Sequence, residues 1–265
     1  MHWSCQNRNL ADLLPEEGAI IQQDGQRSTA NYQKKMAYYL LQIACLNGLE
    51  KLPATRALPY QFLTGLQKVM ELYDESNRFF LGHLRRLGYT IQCVPGCTHC
   101  CRNMPSGLSS LELIYIYHGM HERGISSRSF RRFLEVEELF TEVFLQCRNL
   151  PEPFSQNPAG MDRVLSRYQD LEQPCPFLQT GLCQIYPYRP FACRMHFSLS
   201  PRYRCDPKSP QRSRAVTFNL QPGDCVFEAI DRIESRLRLK LSEVLACGLL
   251  ELTVNLMKFE RIQWI

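Results

Sequence analysis

The chain lacks any apolar run near the roughly 20 residues needed to span a bilayer. The nearest candidate, VLACGLLELTVNLM, is too short and follows a charged segment, so no membrane span is expected. The opening residues, MHWSCQNRNLADLLPEEG, lack the basic stretch followed by an apolar one that marks a secretory signal, and a cytoplasmic protein is expected. Neither a glycine-rich phosphate loop nor a nucleophile elbow is present, which removes the commonest nucleotide-binding and hydrolase signatures. No low-complexity tract and no solenoid repeat is apparent. Strong net charge is missing too. With 31 basic and 26 acidic residues the formal charge is +5, too mild to carry a specific nucleic-acid signal, and it falls further if cysteines ionise on a metal.

What the chain has is cysteine, 13 in 265 residues, within a composition that is 45% apolar. That apolar fraction suffices for a real core, in one large domain or two smaller ones. Four of the cysteines, Cys93, Cys97, Cys100 and Cys101, crowd into CVPGCTHCC. Three more, Cys175, Cys183 and Cys193, punctuate PCPFLQTGLCQIYPYRPFACR. Thiols grouped so closely either bind metal or oxidise to disulfides. In a reducing compartment an odd number of cysteines reads better as metal ligands or reactive thiols.

Helical periodicity dominates around them. Phe62, Leu66, Val69, Tyr73, Phe80, Leu84 and Leu87 recur at helical spacings between Pro59 and Leu87, and Gly88 stands where a helix C-terminal glycine belongs. Ser109 and Glu112 form a capping-box pattern ahead of a largely apolar helix, SSLELIYIYHGM. Ser126 or Ser127 is expected to cap the next helix, with Phe130, Phe133, Leu134, Phe140 and Phe144 as its apolar stripe and Arg131, Arg132, Glu135 and Glu138 facing water. NLPEPFSQNPAG reads as a loop, and Met161 to Leu171 as a short helix. Seven prolines between Pro174 and Pro210 exclude a long helix there and leave turns and extended backbone. RAVTFNL reads as a short strand, the segment from Asp224 to Phe259 as helical, and TANYQKKMAYYLLQIACLNG as an N-terminal helix. The fold class expected is mainly α: a helical scaffold from which two irregular cysteine-rich loops converge on a metal or iron–sulfur site. Three regions are expected to pack as one unit: a helical part at 1–88, a metal-binding part at 89–210 and a helical part at 211–265.

The first run has the spacing C-x3-C-x2-C-C. Two cysteines with two residues between them can turn onto one ion while the intervening amides hydrogen-bond to sulfur, and Gly96 suits that turn. The second run, C-x7-C-x9-C, is too wide for one knuckle, yet its prolines and Gly181 favour a compact path. A four-sulfur site needs only four of the seven, so the surplus implies extra ligands, two sites or a reactive thiol. The Cys175-Pro176 step favours an iron–sulfur cluster, [4Fe–4S] first, over zinc, which more often shows two C-x2-C knuckles or histidine partners. His99 and His196, beside cysteines, are candidate ligands or outer donors. Arg189 and Arg194 are candidates to neutralise thiolate charge or to hold loop carbonyls, with Tyr186 packing nearby. Arg202, Arg204, Lys208, Arg212 and Arg214 continue this local excess against Asp206 alone, and suit an anionic cluster or an acidic partner.

CVPGCTHCC followed by CPFL, GLCQIY and RPFACR resembles the cysteine-cluster family called YkgJ, or CxxCxxCC, described as a zinc- or iron-chelating domain. The resemblance covers roughly residues 90 to 200. It departs at Cys93 and Cys97, which have three residues between them where the family usually has two. The resemblance implies metal or cluster binding on the seven cysteines, and one similar branch, the flagellin lysine N-methylases, keeps protein methylation open. A third reading is a zinc-stapled protein whose helical surface binds a protein partner. The C-x3-C-x2-C of Cys93, Cys97 and Cys100 also suggests radical S-adenosylmethionine chemistry. Against it, the helices do not alternate with strands as a barrel requires, and position 99 is histidine where that superfamily places an aromatic.

Overall fold

The structure is a computed structural model, and it describes residues 14–94, 96–149 and 158–265. Helices form most of it. In chain order they are α1 (Pro15–Ser28), α2 (Ala30–Ala44), α3 (Leu52–Thr55), α4 (Tyr60–Arg86), α5 (Ser110–Glu122), α6 (Ser126–Arg148), α7 (Pro158–Asp170), α8 (Phe191–Arg194), α9 (Asp224–Leu237) and α10 (Leu245–Leu250), the last running into a π-helical turn, Glu251–Leu256. Strands are short and paired: β1 (Ala57–Leu58), β2 (Leu178–Gln179), β3 (Leu182–Cys183), β4 (His196–Ser198), β5 (Thr217–Asn219) and β6 (Gln263–Trp264). β1 pairs with β6 in parallel, while β2 with β3 and β4 with β5 are antiparallel.

The amphipathic stripe of α4 buries Phe62, Leu66, Val69, Tyr73, Phe80 and Leu84. The helix stops as expected: Gly88 adopts φ 87°, a left-handed value that costs an L side chain energy and glycine none. α5 is buried on nearly all sides, from Leu111 to Met120, and each such Leu or Ile contributes about 1.5–3 kcal/mol of burial. Its capping box forms, with Ser109 Oγ accepting from Glu112 N at 3.3 Å and Glu112 Oε2 accepting from Ser109 N at 2.9 Å. α2, α4, α5, α6, α9 and α10 share one core. A smaller core of Ile21, Phe80, Leu84, Leu199, Val216, Phe218 and Leu220 joins α1, the end of α4 and the β4–β5 pair.

Several local expectations need correction. Neither Ser126 nor Ser127 caps α6: Ile125 holds the capping position and no side chain bonds there. The buried stripe of α6 is Ser129, Phe133, Val136, Phe140, Val143 and Cys147, a regular alternation of four and three that leaves Leu134 exposed. Arg132 does not simply face water, because its Nη1 donates to Leu178 O at 2.9 Å. The C-terminal segment is helical in two pieces: Arg238 turns left-handed at φ 50°, and the chain runs non-helically to Val244 before α10 begins. RAVTFNL supplies β5, and α2 matches the N-terminal helix expected. Most of NLPEPFSQNPAG lies outside the described residues. Among the described residues no helix is long and apolar enough to cross a membrane.

Candidate metal centre

Two helices present a matched seat for the second cysteine run. On α5, Glu112, Tyr115 and Gly119 lie three and four apart and so share a face. Glu112 Oε1 accepts the backbone N–H of Phe191 at 2.8 Å, Tyr115 Oη donates to Pro187 O at 3.5 Å, and the ring of Tyr188 packs directly on Gly119. On α4, Tyr73 meets Phe191 edge-on with ring centroids 4.9 Å apart. Asp74 and Asn77 follow on the same helix and hold Arg194, through Arg194 Nη1 to Asp74 Oδ2 at 2.5 Å and Asn77 Nδ2 to Arg194 O at 3.3 Å. α8, which carries Cys193, is fixed from both sides.

Arg194 is buried and spends its guanidinium on the loop. Its Nε donates to Arg189 O at 2.7 Å and its Nη2 to Pro187 O at 2.6 Å. It holds two loop carbonyls at once. Arg189 instead lies over the Tyr186 ring, 3.6 Å from the centroid, and donates from Nε to Tyr186 O at 3.1 Å. Its charge favours the ionised forms of Cys100, Cys183 and Cys193, and Arg194 adds to the effect at Cys183.

The hairpin β2–β3 brings Cys183 opposite Leu178. α6 clamps it through Arg132 and through Arg128, whose Nη1 donates to Gln179 Oε1 at 2.9 Å. Cys175 N donates to Cys101 O at 2.7 Å, which ties the second run to the first by a backbone bond. Glu172 reinforces the junction with Arg102 at 3.4 Å and Lys208 at 2.6 Å. In the first run Gly96 takes φ 82° and Cys97 N donates to Val94 O at 3.0 Å, a turn that leads into the Cys97–Cys100 step rather than one within it. Cys100 and Cys101 sit in a single 3-10 turn, His99–Arg102.

Twelve cysteines are described, all free thiols. Cys93 and Cys100 are exposed as residues and Cys175, Cys183 and Cys193 half-buried, yet loss of water around the sulfur shifts all five. It pushes Cys175 up to about 12 and Cys93 up to about 11, and lifts Cys183 and, further, Cys193. Cys100 is raised first by its hydrogen bond with Cys101 and then by burial. Backbone donors pull the other way: Ser198 N–H on Cys93 at 3.3 Å, Phe177 N–H on Cys175 and Ile185 N–H on Cys183. These are the donors a sulfur needs to remain ionised inside a protein.

Charge on neighbouring thiols adds to several of these rises. Cys193 responds to Cys175, Cys183 and Cys100, and Cys175 to Cys183 and Cys100. Cys93 responds to Cys97, Cys100 and Cys205. Cys205 lies outside both runs, in the turn Arg202–Cys205. His99 is half-buried with Nδ1 enclosed and unpaired among the described residues. His196 pairs with Asn219 Oδ1 at 2.5 Å, and burial lowers its pKa. Among the described residues, no three His, Cys, Asp or Glu side chains stand in an arrangement that closes on one ion.

The donor chemistry nonetheless fits a soft metal. Thiols with backbone N–H partners and a nearby guanidinium suit thiolate ligation, and a bound cation reverses the upward push that burial gives each thiol. No family model matches this chain, and no curated protein or solved structure matches it either.

Proposed function

We propose that the protein is a cytoplasmic metal-binding protein that carries an iron–sulfur cluster on thiolates of both cysteine runs, with Cys100, Cys175, Cys183 and Cys193 at the centre of the ligand set and Cys97 and Cys101 adjoining it. What supports this reading is the bond from Cys175 N to Cys101 O at 2.7 Å, which joins two runs about 75 residues apart, together with the charge of Cys183 and Cys100 acting on both Cys175 and Cys193. The resemblance of residues 90–200 to the CxxCxxCC family points the same way. A bound cluster supplies a one-electron couple.

The chain's own residues then have defined tasks. Phe177 and Ile185 N–H groups donate to ligand sulfurs and so bear on cluster potential. Arg189 offsets thiolate charge at the surface, and Glu112 with Arg194 holds α8 in register. Cys100→Ala and Cys193→Ala, purified anaerobically, are expected to lose metal and stability together, because removing one thiolate uncouples binding from folding. Unchanged metal content in both variants contradicts the proposal. Stoichiometric zinc in a colourless wild-type protein moves the reading to a zinc-stapled structure.

A further inference from the structure

The cations that follow the second cysteine run, Arg202, Arg204, Lys208, Arg212 and Arg214, stand on an ordered surface rather than a slack loop. Two 3-10 turns, Arg202–Cys205 and Arg212–Arg214, pack on each other. Between them Ser209 N donates to Asp206 O and Arg212 N to Ser209 O, both at 3.0 Å, and Tyr203 Oη donates to Gln211 Oε1 at 3.4 Å. The first turn also packs against His99–Arg102, the turn that bears Cys100 and Cys101.

Little of this charge is spent within the chain. Asp206 Oδ1 accepts Lys208 N at 3.0 Å, and Glu172 pairs with Lys208 at 2.6 Å and with Arg102 at 3.4 Å. Among the described residues Arg202, Arg204, Arg212 and Arg214 form no ion pair. Arg202, Arg212 and Arg214 are exposed, as is Tyr203 between the first two arginines, at 51%. Nor is this loop the main counter-charge of the metal centre: the cations acting on Cys100, Cys175, Cys183 and Cys193 are foremost Arg132, Arg189 and Arg194. Like charges fixed side by side repel one another, and an anionic partner relieves that repulsion.

We infer that the face from Arg202 to Arg214 docks a small, carboxylate-rich electron-carrier protein and seats it beside the turn that bears Cys100. The kind of partner rests on the iron–sulfur reading above, whereas the sign of its charge rests on the arginines alone. Arginine and tyrosine are enriched where proteins meet, and so short a patch suits the transient contacts of redox proteins, which bury less than about 1,200 Å². A nucleic acid is held along a longer basic groove with successive stacking aromatics, and Tyr203 is the only aromatic in this segment.

The test uses the full-length chain purified anaerobically, with oxidised plant-type ferredoxin as the acidic probe and binding followed by calorimetry. Wild-type protein is expected to bind at low salt and to lose about tenfold or more in affinity at about 0.5 M salt. Arg202→Glu combined with Arg212→Glu is expected to weaken low-salt binding about tenfold or more. Lys34→Glu combined with Arg131→Glu makes the same change in net charge at exposed positions of α2 and α6, and is expected to leave affinity within about twofold. Circular dichroism checks that each variant is folded. Equal losses from the two pairs, or no binding by wild-type protein, overturn the docking face. A labelled single-stranded oligonucleotide that binds more tightly than ferredoxin through Arg202 and Arg212 overturns it in favour of nucleic acid. Iron measured on the same samples reads the metal centre separately. Iron-free protein that still binds ferredoxin through these arginines contradicts the proposed function and leaves the docking face standing, and iron-loaded protein that does not bind does the reverse.

Discussion

The carboxylate of Glu112 accepts the Phe191 N–H at 2.8 Å with one oxygen and the Ser109 N–H at 2.9 Å with the other. One buried side chain therefore closes the N-terminus of α5 and fixes the turn that carries Cys193. Glu112→Ala orphans two backbone donors and the Ser109 hydroxyl and is expected to cost about 2–4 kcal/mol, measured by urea unfolding. An unfolding midpoint within error of wild type would remove Glu112 from the account.

The same group makes stability depend on pH. Burial raises the Glu112 carboxyl above its ordinary 4.5, so over that window the folded chain keeps a proton that the unfolded chain releases. Its contribution is full below 4.5 and declines as pH rises through the raised value. Glu112→Gln, neutral throughout, is expected to lose this decline. The check is the wild-type-minus-variant difference in unfolding free energy between about pH 4 and pH 8.

Arg194 and Asp74 form an unequal pair: the arginine side chain is 3% exposed and the aspartate 42%. Arg194→Lys cannot reach Arg189 O, Pro187 O and Asp74 with one ammonium, and is expected to cost about 2–3 kcal/mol and to reduce metal content. Asp74→Asn, with a half-solvated partner, is expected to cost about 1 kcal/mol or less. Equal losses from the two variants would contradict the role given to the guanidinium fork.

Gly119 faces the Tyr188 ring so closely that an added Cβ would overlap it. Gly119→Ala is expected to destabilise by about 1–3 kcal/mol through overpacking. Combining it with Tyr188→Ala should cost less than the sum of the two single changes, since both act at one contact. Strict additivity in thermal unfolding would show that the turn does not rest on this face.

The raised thiols predict how metal uptake responds to pH. Each ligand must shed its proton, and with Cys93 near 11 and Cys175 near 12 in the metal-free chain, apparent affinity should climb with pH. The slope is about tenfold per pH unit for each proton displaced. Competition against a chelator at several pH values measures it, and a flat profile would mean the thiols are not the ligands.

Much of this scaffold is legible in local sequence. The period of α4, the Gly88 stop and the Ser109–Glu112 box each depend on residues within a few turns of one another, and each is realised. What is not legible depends on distant partners. Ser126 carries a capping residue's chemistry, yet the chain enters α6 through Ile125. Arg132 looks like a surface charge until the hairpin supplies Leu178 O. The left-handed turn at Arg238 carries no glycine or asparagine to announce it. At the site, the seven cysteines of the two runs are visible as a group, whereas the bond from Phe191 to Glu112 is a product of tertiary contact alone.

The central claim is that these thiols hold a metal centre, and elemental analysis with electronic spectroscopy on anaerobically purified protein tests it most directly. The account predicts a brown protein with stoichiometric iron and sulfide, absorbing broadly near roughly 400 nm and bleaching with dithionite. Protein free of iron, zinc and other thiophilic metals after anaerobic purification and reconstitution would contradict it.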